Sequence, residues 1–256
     1  MRSTRDWIAT DLDGTLFARE WAGEDSVPGT WKCGEDAAAT QVPSSWIPGP
    51  HYRLVSTLAL HFDIVPVTAR DLASFQRVSI DGIPMEGVAV LSNGGLVLNS
   101  EGKVDEEWFD LASEICKPWV DQLLELYGWL LQQEIGSLKT RMIEGARGLP
   151  AYVVAKASFD WWKTTEAKEL LAQVSKKSPL IVSKYKNELQ VLTPALNKKT
   201  ATEFVIKKYY SGNAPVLCLG DMPADIDFMR LAAFMVTPRD SSITHEKLIK
   251  DDSSRY

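Results

Sequence analysis

Ile8-Ala9-Thr10-Asp11-Leu12-Asp13-Gly14-Thr15-Leu16-Phe17 is a short apolar segment that runs straight into two aspartates spaced i, i+2, followed at once by Gly-Thr. In an extended strand, residues two apart face the same side, so Asp11 and Asp13 can converge on one point. Gly14 lets the chain turn sharply just past the strand end, and Thr15 adds a small donor beside that turn. Paired carboxylates at a strand tip suit two tasks: holding Mg²⁺ through oxygen ligands, or dividing into a nucleophile and a general acid. They also suit a plain solvated turn in which Asp merely ends a strand.

Outward from this run, the order of elements points to an α/β fold. Apolar positions Tyr52, Val55, Leu58, Ala59 and Phe62 recur at helical steps between residues 50 and 63. Ile64-Val65-Pro66-Val67-Thr68 reads as a second strand, 71–78 as a helix with Asp71 complementing its N-terminal dipole, and 88–91 as a third strand. Ser92-Asn93-Gly94-Gly95 reads as a hairpin-type turn, with 96–99 continuing beyond it. Strand and helix alternating in this way means a parallel sheet with crossover helices.

The rhythm then breaks. Residues 105–133 form a long amphipathic helical stretch with Pro118 as a point of interruption. Strand pairs follow at 138–144/152–157 and at 180–183/188–192, with a helix over 164–176 between them, capped by Thr164 or Thr165. The pattern is α-β-β-α-β-β, a self-contained α+β module over 101–189 inside a core formed by 1–100 and 190–256. Residues 199–210 restore a core helix, 216–219 a core strand, and 226–232 the last clear helix; 251–256 read as a frayed tail. Residues 18–50, rich in Gly, Pro, Ser and Thr, read as a long connection without regular structure. Its Trp21, Trp31 and Trp46 suit either a surface flap or a lid over the Asp11 site.

Bulk properties narrow the partners. The chain has 256 residues, 45% of them hydrophobic, a net charge of −6 and a pI near 5.2. That supports a sizeable core and argues against nucleic acid or an anionic membrane as partner, while a local basic pocket could still take a small anion. Cys33, Cys116 and Cys218 have neither disulfide-framework nor metal-site spacing, and Cys218 reads as a core residue. With a polar N-terminus and no apolar run near the ~20 residues that span a bilayer, a soluble cytoplasmic protein is expected.

Three further clusters fall at the C-terminal ends of expected core strands, where open α/β sheets bind ligands. Thr68, in Val67-Thr68-Ala69-Arg70, can hold a phosphate oxygen or cap a helix. Lys198 opens a helix, against its dipole, which makes sense if an anion sits with it. Leu219-Gly220-Asp221-Met222-Pro223-Ala224-Asp225 ends an apolar strand in Gly-Asp, with a second Asp four residues on. Asp221 and Asp225, brought near Asp11, would complete a hard-oxygen site for Mg²⁺.

Asp11-Leu12-Asp13-Gly14-Thr15, Thr68, Lys198 and Gly220-Asp221…Asp225 resemble, in order, the four motifs of the haloacid dehalogenase (HAD) superfamily. The inserted module resembles its C2-type cap, subtype B, and Ser92-Asn93-Gly94-Gly95 resembles a turn common in capped members. The resemblance implies a Rossmann-like core and a Mg²⁺-dependent phosphatase, close in pattern to sugar phosphatases of the sucrose-phosphatase and Cof-like kind. It implies Asp11 as the phosphoryl-accepting nucleophile, Asp13 as acid/base, and Thr68 and Lys198 on phosphate. Asp11, Asp13, Asp221 and Asp225 would hold Mg²⁺, and the substrate would be a small phosphorylated metabolite such as a sugar phosphate. Asn93, Arg70, Arg141, Arg147 and Lys184 are candidates to touch it; Arg141, Arg147 and Lys184, with Lys186 beside them, are open also to the reading of a solvated surface charge. Trp161-Trp162 suits a sugar face or an anchor for the cap helix. Met222 and Ala224 stand where such relatives carry Ser and Asn. A phosphomutase of the phosphomannomutase kind, or a catalytically weak binding protein on the same fold, are the alternatives.

Overall fold

The computed structural model describes residues 5–18, 23–33, 41–133, 135, 138–177, 179–185 and 187–245. Trp21, Lys186 and the expected tail at 251–256 lie outside the described residues. In chain order the elements are β1 (Trp7–Thr10), β2 (Val27–Cys33), β3 (Gln41–Ile47), α1 (Gly49–Ala59), β4 (Asp63–Pro66), α2 (Leu72–Phe75), β5 (Ala89–Leu91) and β6 (Leu96–Leu98). They continue with α3 (Glu106–Cys116), α4 (Val120–Leu131), β7 (Lys139–Glu144), β8 (Pro150–Lys156), α5 (Thr165–Lys177), β9 (Ile181–Tyr185) and β10 (Glu188–Leu192). The last are α6 (Lys198–Tyr209), β11 (Leu217–Leu219), α7 (Ile226–Met229) and β12 (Phe234–Val236).

The core sheet has the order β12-β11-β1-β4, parallel throughout. A parallel bridge between Val67 and Val90 extends it to β5, which pairs antiparallel with β6. β1 lies in the middle and is buried at all four residues, as a strand covered on both faces must be. Because these strands run the same way, their carboxyl ends share one edge, and Asp11, Thr68 and Asp221 all follow such ends.

The second sheet is antiparallel, β7-β8-β10-β9. On β8, Val153 and Ala155 pack under α4 and α5 with Leu126, Leu130, Leu170 and Val174, while Tyr152 and Val154 join the cluster of the core helices and strands. Period-two alternation thus gives this sheet one helix-covered face and one face toward the core. The registers put Arg141, Gln190 and Ser183 on the face of Val154, and Lys184 on the opposite one.

The helical stretch 105–133 is two helices, parted at Lys117–Trp119 at the expected interruption, where Pro118 has no N–H to donate to the preceding turn. Asp105 caps α3 by accepting from Trp108 N–H at 3.0 Å, and α3 buries Trp108, Ala112 and Cys116 against the core cluster that holds Trp7 and Val205. The helix expected over 71–78 stops at Phe75, because Val78 is drawn into a bridge with Thr30. Finally, the 18–50 segment is not an irregular connection: β2 and β3 form an antiparallel hairpin, and Ala18 pairs with Trp46 at its base.

Candidate active site

Asp11 leaves the end of β1 fully in the protein interior, 5% exposed, its N–H donating to Leu219 O at 2.9 Å. Lys198, the first residue of α6, donates from Nζ to Asp11 Oδ1 at 2.7 Å and to Asp225 Oδ1 at 2.8 Å. Asn197 caps that helix by accepting from Thr200 N–H at 3.0 Å, which sets where the helix starts and so where Lys198 points. Thr15 Oγ1 lies 3.3 Å from Asp11 Oδ2 and 3.4 Å from Asp221 Oδ1. Asp225 Oδ2 accepts the backbone N–H groups of Met222 (3.1 Å) and Asp221 (3.2 Å), so this side chain both pairs with Lys198 and shapes the turn that presents Asp221.

Asp11, Asp221 and Asp225 are all buried, and each offers a carboxylate oxygen within 4.8 Å of the others. Burial pushes the Asp11 carboxyl up to about 7; Lys198 opposes the rise, and the charges of Asp225 and Asp221 add to it. Burial also acts to lower the Lys198 ammonium, but the carboxylates of Asp11 and Asp225 outweigh it and hold it above the usual lysine range. Three converging carboxylates against one ammonium leave negative charge in a water-poor place. An all-oxygen donor set with surplus negative charge fits Mg²⁺. Gly14 makes the cluster possible: its φ is +97°, and a Cβ there would stand 2.4 Å from Asp221 Oδ2.

Asp13 is placed differently from the expectation. Among the described residues its carboxylate is not in the converging group. It turns instead to Arg70, which donates from Nε to Oδ2 at 2.6 Å and from Nη2 to Oδ1 at 2.7 Å. The two-pronged match of guanidinium and carboxylate explains the preference. Asp13 is also the more open of the two aspartates, with 45% of its side chain exposed. Arg70 is therefore committed to Asp13, with its guanidinium 4.9 Å over the Phe17 ring.

Thr68 is 1% exposed; its hydroxyl accepts from Arg70 N–H at 3.3 Å, and its carbonyl accepts from Asn93 N–H at 3.1 Å. Asn93 thus sits beside the strand end, in a left-handed conformation (φ 54°) that its short polar side chain tolerates. Arg141 is exposed on the core-facing side of the second sheet, near enough for its charge to act on Asp71 and Tyr152. Tyr152 O–H donates to Ala69 O at 2.9 Å across the gap between the sheets.

Two candidates are not brought to the site. Arg147 donates to Glu106 Oε2 at 2.6 Å and lies 4.7 Å over the Phe109 ring. Lys184 lies on the helix-covered face, its Nζ 5.5 Å from the Trp162 ring. Trp162 is itself buried in that helical core and meets Trp161 edge-on, which makes the pair an anchor. Nothing in the sequence marks Thr30, whose strand is broken by Pro28 and Gly29.

Neither a family model nor a curated protein matches the sequence. Solved structures do. The sucrose-phosphatase from Synechocystis sp. PCC6803, in complex with sucrose and phosphate, superposes with a TM-score of 0.57 at 18% identity, covering 100% of this chain and 89% of that one. The C-terminal domain of C. albicans trehalose-6-phosphate phosphatase gives a TM-score of 0.54 at 17% identity, covering 89% and 73%. Among the described residues no helix is long and apolar enough to cross a membrane. The parallel core sheet, the second antiparallel sheet and these two neighbours together show that the chain has the haloacid dehalogenase fold.

Proposed function

We propose that this protein is a Mg²⁺-dependent phosphatase that hydrolyses a phosphorylated sugar or a similar small metabolite. The observation that carries the reading is the buried group Asp11–Lys198–Asp225–Asp221, on the carboxyl edge of the parallel sheet, where strand ends and a helix N-terminus meet. Asp11 is the nucleophile: it attacks phosphorus and takes the phosphoryl group as an acyl phosphate. Lys198 fixes the rotation of its carboxylate and neutralises charge on the transferring group. Asp13, with one oxygen given up by Arg70 and protonated, hands that proton to the departing oxygen, then takes one from the water that cleaves the acyl phosphate. Thr68 and its neighbouring amides hold a non-bridging oxygen.

Asp11 and Asp221 would hold Mg²⁺, with Asp225 supporting Asp221 and Lys198; bound there, the ion would supply charge neutralisation at the phosphoryl oxygens. Residues 101–189 would act as the cap, with 1–100 and 190–256 as core. The face of Arg141 and Tyr152 would enclose the sugar, and closure would exclude bulk water. The two superposed proteins act on sugar phosphates by name, which supports this substrate class. Burial pushes the thiols of Cys116 and Cys218 up to about 11 and about 12, so neither is a nucleophile, and unoxidised buried thiols suit the cytoplasm. The net charge of −6 disfavours nucleic acid and anionic membrane.

A phosphate-release screen over sugar phosphates, with Mg²⁺ and with chelator, tests the reading. Release that requires Mg²⁺ supports it. Substrate isomerised with no phosphate released would favour a phosphomutase, and no turnover of any ester would defeat both.

A further inference from the structure

We infer that Thr30, on the hairpin of β2 and β3, is a positioning residue for Asp13 and acts through Arg70, a role that rests on Asp13 handling the leaving group as proposed above. Arg70 uses one edge of its guanidinium on Asp13, through Nε and Nη2. The remaining nitrogen, Nη1, donates to Thr30 Oγ1 at 2.9 Å. The three contacts together fix both the plane and the reach of a side chain that is 11% exposed. A bidentate pair alone would let Arg70 and Asp13 swing as a unit; the third contact ties that unit to a separate part of the chain.

Thr30 is itself held firmly. It is 4% exposed, its Oγ1 accepts from Ser45 Oγ at 2.6 Å, and its carbonyl accepts from Ser44 Oγ at 3.3 Å. The β2–β3 register shifts on both sides of it, between Pro28 and Thr30 and between Thr30 and Trp31. Such irregularities re-aim a side chain that regular pairing would place elsewhere. The same stretch is bonded to the segment after α2: Trp31 N–H donates to Arg77 O at 3.0 Å, and Ser79 N–H donates to Gly29 O at 3.2 Å. The hairpin is therefore braced against the segment that follows α2, and Thr30 is where it reaches back to Arg70 and, through it, to the acid/base carboxylate. Packing alone would need an apolar contact at this position, not an acceptor aimed at a guanidinium.

The test compares Thr30→Val, which keeps shape and removes the acceptor, with Thr30→Ser, which keeps it. Two esters are used: glucose 6-phosphate, whose alkoxide leaving group needs a proton, and p-nitrophenyl phosphate, whose leaving group departs without one. The quantity read is kcat/KM, which covers steps only through leaving-group departure. Thr30→Val is expected to lose about tenfold on glucose 6-phosphate and less than about twofold on p-nitrophenyl phosphate, with Thr30→Ser within about twofold of wild type on both. Equal losses on the two esters, or no rescue by Ser, would reduce Thr30 to packing, and a thermal melt of each variant separates that from unfolding. Wild-type rates for Thr30→Val, in a protein whose wild type turns over both esters, would remove Thr30 alone. A wild type inert on both would remove the assigned role of Asp13 and this inference with it.

Discussion

Replacing Gly14 by Ala should damage stability and metal use together, by amounts that can be separated. The residue has φ +97°, and an added Cβ would lie 2.4 Å from Asp221 Oδ2, 2.8 Å from its Cγ and 3.1 Å from its Oδ1. Ordinary contact starts near 3.4 Å, so the Asp221 carboxylate must move by about 1 Å. Its backbone cannot follow easily, because its N–H is held by Asp225 Oδ2. The backbone conformation alone costs an L-residue about 1–2 kcal/mol, and forced displacement of packed atoms adds about 1–3 kcal/mol. For a chain of this size a loss of 2–5 kcal/mol corresponds to a fall in Tm of roughly 4–20 °C. Moving one carboxylate of the group should raise the Mg²⁺ concentration for half-maximal activity by about 10- to 100-fold. Gly212→Ala is the control: its φ is +88° with nothing within 4 Å of the added atom, so it should cost only the backbone part, roughly 2–8 °C, with an unchanged metal titration. Differential scanning calorimetry without metal, and activity against Mg²⁺ concentration, give both numbers. If Gly14→Ala matched Gly212→Ala in both measurements, the close approach of Gly14 to Asp221 would have no energetic meaning.

Other expectations follow from single contacts. Asp105 accepts from Trp108 N–H, Lys208 Nζ and Tyr209 O–H; burial works to raise its carboxyl, but these bonds outweigh it and hold it below the usual range. A depressed folded value means that its stabilisation is full above the unfolded value, about 3.9, and is lost as pH falls through the folded one. Asp105→Asn, which can still cap α3, should therefore be less stable at neutral pH by about 1.5–3 kcal/mol and show a flatter stability profile in acid, read by urea melts from neutral pH downward. Gly128 sits inside α4 with nothing within 4 Å of an added Cβ, so Gly128→Ala should raise stability by about 0.5–1 kcal/mol, visible as a higher Tm with unchanged kinetics. Asp11→Asn should fold and yet release no phosphate, because an amide cannot accept the phosphoryl group; substantial residual release would displace Asp11 as nucleophile.

Asp11, Thr68 and Asp221 were legible as neighbours because each follows the carboxyl end of a strand in one parallel sheet. A parallel sheet sends all its carboxyl ends to one edge, so residues far apart in sequence meet once the strands are recognised. The β2–β3 hairpin was not legible. Pro28, Gly29 and Pro43 interrupt its pattern, and its register shifts destroy the alternation that marks a strand. β12 is three residues long, with Phe234 and Met235 exposed, and carries no periodic signal at all. Arg70 was legible as lying just past the end of β4 but not as the partner of Asp13, since spacing gives position and not the choice of partner. The faces of the second sheet depend on register, which is why Arg141 and Lys184 looked alike in sequence and lie on opposite sides.

The central claim, that Asp11 takes the phosphoryl group, is tested most directly by acid-quenching the Asp13→Asn variant during reaction with p-nitrophenyl phosphate and mapping its peptides by mass spectrometry. That substrate leaves without a proton, while the variant lacks the base that activates water for the second step, so the acyl phosphate should accumulate. One p-nitrophenol released per protein, with phosphate on the peptide that carries Asp11, is the expected result. Release of p-nitrophenol with Asp11 unmodified, or with the phosphate on another side chain, would contradict it.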